Sequence, residues 1–108
     1  MLEISVQNVA NVILMARELG RAEGELRAFI DRLAEEEQID LVVLMWIGRG
    51  SFEPEEWGEA RATAINEATT PTADYLIGTP HLSDHLENAL DSLGLSALDE
   101  EDALIRGG

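Results

Sequence analysis

The chain has 108 residues, a formal net charge of −15 and no cysteine. A chain this long folds as one domain that removes roughly two thirds of its unfolded surface from water, so one core suffices without staples. Twenty-two acidic residues against seven basic ones repel a phosphate backbone, which argues against nucleic acid as a partner. The lack of cysteine excludes disulfides, a thiol nucleophile and thiolate-ligated metals. All seven bases are arginine, and a hydrophobic content of 45% is too high for a disordered acidic chain. The start of the chain has no basic leader, and the longest apolar runs, Val12 to Ala16 and Leu41 to Ile47, are far short of a membrane span. These features lead us to expect a soluble, cytoplasmic domain with no membrane partner.

Ser5 precedes apolar residues at Val6, Val9, Ala10, Ile13 and Leu14, the spacing of one helix face, and can cap the free amides. The first helix is expected over Val6 to Leu19, with Gly20 and Gly24 bracketing its end. The second follows from Glu25, burying Leu26, Phe29, Ile30 and Leu33 and pairing Arg27 with Asp31 on its outer face. From Glu25 to Ile47 there is no glycine or proline, yet a single helix would carry Glu37 and Asp40 into the core, where unpaired carboxylates are costly. A break near Ala34 to Gln38 resets the phase. Leu41 to Ile47 has the composition of a strand as well as of a helix, and helix is favoured because no second strand is present for it to pair with.

Gly48 suits the left-handed position after a helix. The next helix is expected from Pro54, with Glu55 and Glu56 in its first turn and Trp57, Ala60, Arg61, Ala64, Ile65 and Ala68 inward, Arg61 at the margin. Thr70-Pro71 and Thr79-Pro80 read as two copies of a threonine cap before proline, opening a short helix to Ile77 and a longer one from Pro80 to Leu93, closed by Gly94. The fold class expected is all-α: a compact domain of about five helices over residues 1–94, with the Trp46 and Trp57 helices forming a central hairpin and the Tyr75 segment across it. Residues 95–108 are expected to be an acidic tail, weakly helical or disordered.

Two local constellations stand out. Gly48-Arg49-Gly50-Ser51 is a short glycine-rich stretch that could present amides and Arg49 to an anion, although it lacks the length and the lysine of a P-loop. The competing reading has Gly48 capping a helix while Arg49 pairs with a carboxylate or stacks on Trp46 or Trp57. His81 and His85 stand four apart on the last helix, a weak candidate pair of metal ligands without a third; a solvated face is the favoured reading. The acidic runs Glu35 to Glu37 and Asp99 to Asp102 read as solvated surface.

The segments Leu44-Met45-Trp46-Ile47-Gly48-Arg49-Gly50, then Glu55-Glu56-Trp57, and Thr72-Ala73-Asp74-Tyr75-Leu76-Ile77-Gly78-Thr79-Pro80 resemble a family of small bacterial proteins, the domain of unknown function numbered three-seven-seven-five. The resemblance runs from Leu2 to Leu93. Similar sequences tend to have a long acidic insertion where this chain has only Gly20 to Gly24, and an asparagine cap where it has Ala34. The resemblance implies no activity, cofactor or substrate, but it draws attention to Trp46, Arg49, Trp57, Asp74 and Tyr75 as candidate binding residues. Two functions follow as expectations. One is a non-enzymatic protein-interaction module or homo-oligomer recognised through Trp46, Arg49, Trp57 and Tyr75. The alternative is an anion-binding or small-molecule-binding domain, or an enzyme, in which Arg49 holds a carboxylate or phosphate and Asp74 acts as its orienting partner or as an acid/base group. No cofactor or metal is expected.

Overall fold

In the computed structural model, which describes residues 2–95, six helices follow one another: α1 (Val6–Arg17), α2 (Leu19–Arg32), α3 (Glu35–Arg49), α4 (Trp57–Asn66), α5 (Thr72–Ile77) and α6 (Leu82–Ser92). A single 3-10 turn, Pro54–Glu56, leads into α4, and the described residues contain no strand. Apart from Leu95, the expected acidic tail lies outside the described residues. Among the described residues no helix is long and apolar enough to cross a membrane.

Ser5 caps α1 as its position suggests, its Oγ accepting the N–H of Asn8 at 3.0 Å. The helix ends at Arg17, and Glu18 alone makes the turn into α2 by sending its N–H to the Met15 carbonyl. Gly20 and Gly24 therefore bracket nothing. Both lie inside α2, because a one-residue corner in an ordinary conformation needs no glycine. Leu26 and Ile30 bury the inner stripe of α2 against α1, while Phe29 and Leu33 are half-buried. Arg27 does not pair with Asp31; it bonds to Asp74 of α5.

Between α2 and α3 the chain becomes extended at Leu33 and Ala34, where the phase of the apolar pattern requires a break. The N–H of Ala34 is held by Glu37 Oε1 at 2.9 Å, and Gln38 Nε2 donates to the Ile30 and Leu33 carbonyls at 3.0 and 3.1 Å. The end of one helix and the start of the next are thus satisfied by side chains of α3. Asp40, however, is buried completely. Its carboxylate accepts the N–H groups of Glu3 and Ile4 and Arg61 Nη1, the last at 2.7 Å, and Glu36 stands 3.3 Å from the other side of the same guanidinium. The expectation that this carboxylate would be kept out of the core is corrected by its partners: charge and lone pairs are both satisfied.

Leu41 to Met45 and Ile47 are all buried, so α3 is the central helix, with α6, α4 and α5 packed around it. The expected pairing of the Trp46 and Trp57 helices is present as α3 against α4, but α6 has the more extensive contact with α3. Gly48 does not end α3. It lies inside the helix, and a Cβ there would stand 1.6 Å from the backbone oxygen of His85 in α6. Gly50 takes the left-handed position instead, with φ 91°, while Ser51 returns its N–H to the Trp46 carbonyl at 2.8 Å.

The inward face of α4 is narrower than its apolar spacing suggests. Trp57, Ala60 and Ala64 are buried, but Ile65 is 52% exposed and Ala68 lies beyond the helix end on the surface. The short helix after Thr70-Pro71 is present as α5 and the longer one as α6, but neither threonine caps its helix: Pro71 stands before α5 with no side-chain cap. The Thr79 hydroxyl donates backwards to the Tyr75 carbonyl at 2.8 Å, and His81 takes the position before α6 with φ 59°. Gly94, with φ 74°, closes α6 as its position predicts. Arg17 pairs with Glu87, tying α1 to α6.

Candidate functional site

Trp46 lies half-buried on α3, and its indole Nε1–H donates to the Tyr75 hydroxyl of α5 at 2.9 Å. Phe52, in the loop after α3, stacks on the indole at 5.6 Å between ring centres and 30° between planes. Tyr75 is placed by burial of its neighbours Ala73 and Leu76 and by the Arg27–Asp74 pair that joins α2 to α5. The hydrogen bond to Asp74 holds the Arg27 guanidinium above its ordinary pKa.

The Trp46–Tyr75 pair forms part of the floor of an open cleft of about 260 Å³. Ile39 and Val42 of α3 extend that floor, and Ala64, Glu67 and Ala68 at the end of α4 form one wall. Thr69, Thr70 and Thr72 make the remaining rim. Glu67 is the sole charged side chain among these residues, so the lining combines an aromatic and aliphatic base with hydroxyls and one carboxylate.

Of the five candidate residues, the structure brings Trp46 and Tyr75 into contact and keeps the others apart from the cleft lining. Trp57 is 8% exposed and belongs to the core. Asp74 is engaged by Arg27 rather than by Arg49. Arg49 is exposed, stacks on neither tryptophan, and donates from Nε to Ser51 Oγ at 3.0 Å. Its Nη groups have no carboxylate partner among the described residues, so the internal ion pair considered for it is not formed there.

The histidines find no third ligand among the described residues. His81 is exposed with Nδ1 4.0 Å from Asp84, whereas His85 presents its backbone to Gly48. Among the described residues no three His, Cys, Asp or Glu side chains gather in a way that could hold a metal ion. Sequence reasoning missed Glu67 and the threonines at the cleft rim. Three hydroxyls within four residues, beside a tyrosine, are a usable signal, but Thr70 was read as a cap before Pro71, a role its side chain does not take.

No curated protein and no solved structure matches the chain. A family described as protein of unknown function (DUF3775) matches residues 23–95, from within α2 to just past the end of α6, leaving out α1 and the N-terminal segment that the resemblance was expected to include. The matched stretch contains the cleft, the Gly48 crossing and both aromatic partners, and the chain belongs to this family, DUF3775.

Proposed function

We propose that the protein is a small, acidic, non-enzymatic interaction module whose recognition site is the cleft between α3, the end of α4 and α5. The observation that supports this reading is the Trp46–Tyr75 pair at the base of the cleft, its indole N–H already satisfied. Aromatic side chains with few torsions, fixed before a partner arrives, lose little freedom on binding. A volume of about 260 Å³ is below the roughly 300–1,000 Å³ of pockets that enclose whole small molecules, and it suits one or two side chains of a protein segment. A second copy of the chain is a poor occupant, because it brings a charge of −15 against the same charge.

Capture from native lysate with wild type, Ala68→Trp and Arg49→Ala side by side tests this reading. Ala68 is exposed and lines the cleft, so a tryptophan there fills the cleft without entering the core. The expected result is a partner retained by wild type and Arg49→Ala and lost from Ala68→Trp. Retention by wild type and both variants overturns the cleft as the recognition site.

A second reading, an anion-binding domain centred on Arg49, is favoured by one observation. Ser51 fixes Nε while both Nη groups are left for a ligand among the described residues. Loss of a ligand from Arg49→Ala alone, with Ala68→Trp unaffected, supports that alternative.

A further inference from the structure

Building on the interaction reading, we propose that the cleft receives an arginine or lysine side chain from a basic segment of the partner protein. Three sources of negative potential meet there, and among the described residues no basic side chain lines the cleft. The first is the aromatic pair in the lining. Phe52 stacks on the Trp46 indole from outside the lining, and the rings of Trp46 and Tyr75 that do line the cleft carry the electron density that attracts a cation, tryptophan most strongly. The second is Glu67, the sole charged side chain in the lining and itself exposed.

The third is the end of α4, which forms one wall. The helices α1, α2 and α3 each have an arginine in the last turn, but α4 has no basic residue there and is followed by Glu67. Its final intrahelical-type bond is from the Glu67 N–H to the Thr63 carbonyl, so the carbonyls of Ala64, Ile65 and Asn66 accept no backbone N–H among the described residues. Those oxygens carry the negative end of the helix dipole, and the last turn of α4 supplies no cation to offset it.

The apolar part of the lining fits the same occupant. Ile39 and Val42 offer a surface for the aliphatic stem of a long basic side chain, while its head reaches Glu67 and the hydroxyls of Thr69 and Thr70 at the rim. The overall charge of −15 raises the encounter rate with a basic segment and lowers it for an acidic one.

Two tryptophans give two indole N–H resonances, so nitrogen-labelled full-length chain reports on the cleft and on the core at once; a Trp46→Phe sample assigns them. The probe is the pentapeptide Ala-Leu-Arg-Leu-Ala with blocked ends, titrated beside the same peptide with citrulline, which keeps the shape of arginine without its charge. The Trp46 resonance is expected to move and saturate with the arginine peptide while that of buried Trp57 stays in place, and the citrulline peptide is expected to bind roughly tenfold more weakly. Glu67→Gln should weaken the arginine peptide by about fivefold, and Glu55→Gln, an exposed carboxylate outside the cleft lining, should leave it unchanged. Equal binding of the two peptides overturns the cationic occupant and leaves the interaction reading standing. No movement of Trp46 with either peptide also overturns it, while the lysate comparison separately decides that reading. Binding of n-butylguanidinium as tightly as the peptide assigns the cleft to a free organic cation and overturns the protein partner.

Discussion

Two contacts made by the same helix are built in opposite ways. At Gly48, α3 meets α6 backbone to backbone, with no room for even a methyl group. At Trp46, two residues earlier and about 200° around the helix, α3 meets α5 through a tryptophan and a tyrosine that touch at their polar atoms and remain partly open to solvent. The first contact spends the side chain to bring two helices close. The second keeps large side chains where a partner can reach them. One helix can therefore be anchored rigidly on one side and display a recognition surface on the other, since the close crossing fixes the helix that carries the aromatic pair.

The largest effect is expected from breaking the first contact. Gly48→Ala places a methyl group 1.6 Å from a backbone oxygen, which no rotation of a side chain relieves, so α3 and α6 must separate. A loss of about 4 kcal/mol is expected, above the common range for overpacking because the obstacle is main chain. That is a large share of the stability of a domain this size, and urea unfolding monitored by circular dichroism measures it.

Next in size is Asp40→Ala, which cuts a third attachment of α3. It leaves the guanidinium of Arg61 with Glu36 as its one carboxylate among the described residues and removes the acceptor for two N-terminal amides. Removal of one member of a buried pair typically costs about 3–5 kcal/mol, and the partial exposure of Arg61 puts this case near the lower end, about 3 kcal/mol. Amide exchange at Glu3 and Ile4 should accelerate by more than the global loss of stability explains.

The difference between the two contacts also explains how much of the fold was legible in the residues. Ser5 and Gly94 were readable because their roles are local: a cap reaches three residues ahead, and a left-handed glycine closes the helix just behind it. The break before α3 was located too, but on a premise only half met, since Glu37 stays out of the core while Asp40 is buried in it all the same. Gly48 and Gly50 were not distinguishable locally. Either glycine satisfies the rule for a helix end, and only the approach of α6, thirty-seven residues away at His85, makes a side chain impossible at the first of them. Asp40 was misjudged for the same reason, as its partners come from residues 3, 4 and 61. At the candidate site, the aromatic pair stood out by rarity, whereas Glu67 is one acid among twenty-two and becomes distinctive only beside the cleft.

Tyr75→Phe sharpens the second contact without dismantling it. The ring stays and the acceptor of the Trp46 indole N–H is lost. A neutral hydrogen bond in a half-buried setting contributes about 1 kcal/mol, so urea unfolding should show a loss of that order. The Trp46 indole resonance should shift while that of Trp57 stays, which separates a local change at the cleft from a general loosening of the core.

The smallest effect is expected at Arg49, although it is the residue that the sequence makes most conspicuous, a cation between two glycines in a chain without lysine. Its side chain is exposed, its one side-chain hydrogen bond among the described residues is to nearby Ser51, and Gly50 rather than Arg49 determines how α3 ends. The positive charge in the last turn of a helix adds a few tenths of a kcal/mol through the dipole, reduced by salt. Arg49→Ala should therefore change stability by no more than about 0.5 kcal/mol. Thermal unfolding of wild type and variant under identical conditions measures the difference. A large fall in melting temperature would make Arg49 architectural, in company with Gly48. An unchanged one leaves its guanidinium available for a role outside the fold, and the paired lysate capture then decides whether that role is binding.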